Sequence, residues 1–79
     1  MNLEDFARSE ILNEVFEITQ ISWNEVKMKS FHDCTFEPTD LTIQWREGIF
    51  FDTFNAGQHV QKGVQLVEVF DYIIAIMEN

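Results

Sequence analysis

Leu41, Ile43 and Trp45 alternate with Thr42, Gln44 and Arg46, and after Glu47-Gly48 a second extended run returns from Ile49 to Phe54. A two-residue period sends successive side chains to opposite faces, which is the mark of a half-buried strand. The glycine between the runs supplies the positive φ that a tight hairpin turn demands. This predicted hairpin commits the fold to an antiparallel sheet with one face to be covered.

The covering material comes from the two ends of the chain. From Ser9, a credible N-cap, residues Ile11, Leu12, Val15, Phe16 and Thr19 share one helical face, while Glu10, Asn13, Glu14, Glu17 and Gln20 lie opposite. Leu3, Phe6 and Ala7 are out of phase with that stripe, so the first residues form either a separate helical turn begun at Asn2 or a continuation packed on another neighbour. From Glu25 the period changes: Val26 and Met28 point one way, Lys27 and Lys29 the other, as in a strand, although Trp23 and Val26 also stay in phase with the preceding helix. His32 to Asp40 reads as a connection, with an extended piece at Thr35-Phe36 before Pro38. Asn55-Ala56-Gly57-Gln58 has capping-box spacing, so a helix from there or from Gly63 runs to Met77. Between Val64 and Met77 the polar residues Gln65, Glu68 and Asp71 fall every third position on one narrow stripe, which favours helix over strand and asks for burial around most of its circumference.

The expected fold is therefore α+β: a single domain over residues 1–79, ordered helix, three antiparallel strands, helix (αβββα), with both helices on one sheet face. That order of elements resembles the double-stranded-RNA-binding domain in topology alone. The basic helix start that grips phosphate in that family is represented here only by His59 and Lys62.

Charge decides what such a domain can contact. Fourteen Asp and Glu stand against five Lys and Arg, a formal net charge of −9, in a chain that is 46% hydrophobic and holds eight Phe. An acidic disordered tail would lack those aromatics, so this chain folds and presents a negative surface. Direct nucleic-acid binding is disfavoured, and an excess of one sign serves solubility or steering toward a basic partner. Cys34 is the sole cysteine, which fits a reducing compartment and rules out an intrachain disulfide. The first residues lack a signal-peptide pattern, and the Tyr72–Met77 apolar run is about a third of a bilayer span, so a cytoplasmic protein without a membrane role is expected.

The candidate contact residues are acidic and aromatic. Glu10, Glu14 and Glu17 along the first helix, and Glu68 and Asp71 along the last, have no lysine spaced to neutralise Glu10 or Glu14. On the sheet, Val26, Met28, Leu41, Ile43, Trp45, Ile49 and Phe51 are expected to face the helices, leaving Lys27, Lys29, Arg46, Phe50, Asp52 and Phe54 outward. Phe50 and Phe54 beside three bases could stack nucleobases, or anchor a protein interface or symmetric dimer, unless an imperfect strand register buries both rings. His32, Asp33, Cys34 and His59 are the only soft-ligand candidates and lack the paired spacing of a zinc site; no metal, cofactor or enzymatic activity is expected.

The function expected from these features is an acidic protein-binding module that occupies the basic nucleic-acid-binding surface of a partner, such as a nuclease or CRISPR effector. In composition it resembles phage anti-defence proteins of the anti-CRISPR type and immunity proteins of toxin nucleases. The alternative is a homodimerising or scaffolding subunit that uses apolar surface, its acidity serving solubility only.

Overall fold

In the computed structural model, which describes residues 2–31 and 39–77, one antiparallel sheet of five strands runs in chain order, β1-β2-β3-β4-β5. The strands are β1 (Phe16–Ile21), β2 (Glu25–Ser30), β3 (Asp40–Glu47), β4 (Phe50–Asn55) and β5 (Gln58–Val64). Two short helices, α1 (Leu3–Ala7) and α2 (Glu10–Val15), precede the sheet, and α3 (Leu66–Met77) follows it. The α+β class is as expected, and the expected hairpin is β3–β4, with Gly48 at φ +54° in its turn. Among the described residues the sheet has five strands where three were expected, and the helices number three, not two.

Each departure has a local cause. The first helix stops at Val15 because the next residues, Ile18, Thr19 and Ile21, are β-branched and stiff at χ1, which suits a pleated strand better than a helix. Residues Leu3 to Ala7 form the separate turn of helix, capped by Asn2, whose Oδ1 accepts the Asp5 N–H at 2.8 Å. The Asn13 side-chain amide donates to the carbonyls of Ala7 and Ser9, both at 2.9 Å, and so fixes α1 against α2. Asn55-Ala56-Gly57-Gln58 is not a helix start. Ala56 and Gly57 both take positive φ, +52° and +82°, the requirement of a two-residue type I′ turn, and Asn55 pairs with Gln58 across it. The capping role belongs instead to Glu68, whose carboxylate accepts the Gln65 N–H at 2.9 Å.

All three helices cover one face of the sheet. Leu3, Phe6 and Ala7 of α1, Leu12 of α2 and Leu66, Val69 and Ile73 of α3 close over Phe16, Val26, Met28, Leu41, Ile43 and Phe51 in a single core. Five of the seven sheet residues expected inside are there; Trp45 and Ile49 are exposed. The register shifts between Trp45 and Glu47, so Arg46 bulges, and the hairpin end carries Trp45 and Ile49 past the edge of the helical cover. Both outer strands are also irregular, β1 beside Thr19 and β5 twice against β4. Bulged edges resist addition of further strands. Thr35-Phe36 lies outside the described residues.

Candidate protein-docking surface

Helices and strands divide the charge unequally. Among the described residues, α1 to α3 carry six acids, Glu4, Asp5, Glu10, Glu14, Glu68 and Asp71, against one base, the C-cap Arg8. The strands carry five acids and four bases. Arg8 approaches Glu4 at 3.9 Å, a solvent-exposed pair of small energetic weight. Glu10, Glu14, Glu68 and Asp71 are all exposed on the helical layer. Glu17 is not with them: it stands in β1, in register with Lys29, which in turn faces Asp40. The expected three-carboxylate stripe on the first helix is therefore a pair, Glu10 and Glu14.

On the open face of the sheet two carboxylates, Glu25 and Asp52, are held by neighbours within the sheet. The Glu25 carboxylate accepts from the side-chain amides of Gln20 and Gln44, each at 2.8 Å. Asp52 accepts from the Arg46 guanidinium and from the Gly63 N–H, both at 2.8 Å, and lies 3.5 Å from His59. Burial pushes the Asp52 carboxyl up, but the Gly63 N–H, Arg46 and His59 together outweigh it and hold the group below its ordinary value. Phe54 is half-buried, and the His59 imidazole stacks on it at 4.5 Å between centroids. Phe50, more exposed, pairs in register with Glu47 at the far end of the strand. The two phenyl rings do not form the shared platform that alternation alone had placed there.

The apolar surface lies elsewhere, along the N-terminal end of α3. A groove of about 600 Å³ opens between α2 and α3, floored by Phe6 and Phe70, which meet edge to face at 6.4 Å, and walled by Ile11, Leu66 and Val67 with Ser9 and Glu10 at its rim. A second groove of about 540 Å³ shares Leu66 and Val67 and continues to Ile49, Trp45 and Trp23. Trp23 is 66% exposed, Val67 65%, Ile49 60% and Ile11 51%. Scattered apolar residues on a surface mean little, but a contiguous strip of large ones marks a contact site. The tryptophans lie 5.7 Å apart at 55°, and the Trp45 indole N–H is held by the Gly48 carbonyl at 3.0 Å. The β1–β2 turn that carries Trp23 is fixed by Ser22, whose Oγ accepts the Glu25 N–H at 3.1 Å, and by the Asn24 carbonyl, which accepts the Trp45 N–H at 2.7 Å.

Sequence reasoning found the helical acids but missed this strip. Strict alternation places Trp45 and Ile49 inward, which a bulge breaks, and Ile11 and Val67 fit apolar helix faces. Trp23 had one legible signal, a large aromatic set directly among the polar residues Ser22, Asn24 and Glu25. No group of three or more potential metal ligands gathers among the described residues; His32, Asp33 and Cys34 lie outside them. No described helix is long and apolar enough to cross a membrane. Comparison with known proteins gives no match to a family model, to a curated protein or to a solved structure.

Proposed function

We propose that this chain is an acidic protein-binding module that docks through its helical layer on a basic partner. The observation that carries this reading is the coincidence, on one side of the molecule, of six acids against a single base with the apolar strip through Ile11 and Val67. Apolar contact supplies the affinity of a protein interface, and the surrounding field supplies encounter rate and partner choice. Glu10, Glu14, Glu68 and Asp71 serve the field. Glu17 and Phe54, turned to the sheet's open face, are not needed for it, and Phe50 extends the exposed hairpin end.

The partner class we place first is a nucleic-acid-binding protein, such as a nuclease or CRISPR effector, whose basic groove this chain occupies in competition with nucleic acid. Inhibition or immunity follows from such occupancy. The experiment is affinity capture on the immobilised chain from its native host, with elution by a salt gradient and by added duplex DNA. A basic partner released by both supports the reading; a partner that survives high salt and excess DNA defeats it.

A second reading, self-association through the same strip, draws on the exposure of Trp23, Val67 and Ile49. It brings together two copies that each carry −9, which opposes a symmetric contact at low ionic strength. Sedimentation over a concentration series at low and high salt separates the readings: a dimer that persists at low salt favours the second.

A further inference from the structure

The second groove contains a feature that general apolar docking does not require, a pair of exposed indoles set at an angle. We propose that the Trp23–Trp45 cleft receives an arginine side chain of the basic partner, with its guanidinium laid on an indole face. The inference rests on the docking reading above and names the chemistry at one point of it.

Three observations select arginine. First, the rings meet at 5.7 Å and 55°, a tilted contact with no room for a flat group between them, but Trp23 is 66% exposed, so its outward side is open to one. Second, the Trp45 indole N–H is already satisfied by the Gly48 carbonyl, which fixes that ring and leaves its π-face as the contact surface. Third, the same groove is lined by Gln65, whose side-chain oxygen can accept from the N–H donors of a guanidinium, the oxygens of Asn2 and Gly48 already accepting from α1 and from Trp45. The tryptophan face attracts a cation, and a planar, weakly hydrated guanidinium stacks where a compact ammonium does not. A chain of net charge −9 draws cations toward such a cleft and repels anionic aromatic ligands, nucleotides among them. The cleft also shares Leu66 and Val67 with the groove between α2 and α3, so one basic segment can reach both.

The test uses the full chain with nona-arginine and nona-lysine peptides at matched ionic strength. Trp23 and Trp45 are the only tryptophans, so intrinsic emission reports this cleft, while calorimetry gives affinity independently. The arginine peptide is expected to bind tighter by about 2- to 30-fold and to perturb the emission, the range a cation–π contact supplies. Trp23→Leu, a change at an exposed turn position, should reduce that preference, and Trp23→Leu with Trp45→Leu should remove it. Trp23→Phe with Trp45→Phe should retain part of it, which separates loss of the aromatic face from loss of the fold. Equal affinity for the two peptides in the natural chain, or an arginine preference untouched by either leucine variant, overturns the inference. Neutralising Glu10, Glu14 and Asp71 addresses the docking reading separately: salt-dependent binding of both peptides should weaken while the arginine preference stays. Loss of binding in that variant together with no arginine preference in the natural chain retains the docking surface and discards the cleft.

Discussion

At the scale of single residues, two neighbouring polar side chains of β4, Asp52 and Thr53, point to opposite faces of the sheet and behave in opposite ways. Thr53 is fully buried and its hydroxyl has no hydrogen-bond partner among the described residues; Gln61, its partner in register, has a side-chain carbonyl oxygen unpartnered among them as well, its amide being spent on the Glu68 carbonyl. A buried hydroxyl without a partner carries a desolvation penalty and returns nothing, so Thr53→Val should be neutral or stabilising by up to about 1 kcal/mol in urea unfolding. Asp52 is the reverse case, a carboxylate with a guanidinium, a backbone N–H and an imidazole around it. Asp52→Asn should destabilise by about 1 kcal/mol at neutral pH, the usual scale of charge-assisted hydrogen bonds at a surface. Because the folded-state pKa is lowered from 3.8, the contribution of the charged form is fully present above that value and fades as pH falls through the lower folded value. The gap between natural chain and variant, followed by denaturation from pH 7 down to pH 2, should therefore narrow only below about pH 4; a gap unchanged at pH 2 would show that the carboxylate charge is not its source.

At the scale of elements, the turns decide the topology more than the strands do. Gly57 holds φ +82° with open space where a Cβ would project, so Gly57→Ala meets no clash and should cost only the left-handed strain, about 1 kcal/mol by thermal or urea denaturation. A much larger loss would mean that the turn organises β5 as a whole. The same turn explains what could and could not be read from the chain. The β3–β4 hairpin was legible because Leu41, Ile43 and Trp45 keep a clean two-residue period up to a glycine. β5 was not, since its two extra residues against β4 break the period and leave Gln58-His59-Val60-Gln61-Lys62 without alternation. β1 was hidden by coincidence: Leu12, Val15 and Phe16 satisfy helical spacing, and Phe16, Ile18 and Ile21 satisfy a bulged strand, so only the β-branched run tells the two apart. The acids of the proposed docking surface could be read because charge needs no register, whereas the contact of Trp23 with Trp45 depends on a bulge and two turns that bring them together.

For the whole molecule, the issue is whether location or total charge governs partner choice, since a net −9 would steer a basic partner even if spread evenly. The split between an acidic helical layer and a nearly balanced sheet allows the two to be separated at constant net charge. Glu10→Lys, Glu14→Lys and Asp71→Lys change the total by the same amount as Glu17→Lys, Asp40→Lys and Glu47→Lys, but the first set lies on the helices and the second on strands. Rim charges act mainly on association rate, and reversal in a contact region adds like-charge juxtaposition. The helical set should therefore weaken binding of a basic partner by at least about 10-fold at low salt, roughly 1.4 kcal/mol, and flatten its salt dependence. The strand set should shift the association rate modestly and leave dissociation unchanged in the same surface-plasmon measurement. Equal losses from both sets would mean that the chain acts as a diffuse polyanion, and that its helical layer is no more than a solvated cover for the core.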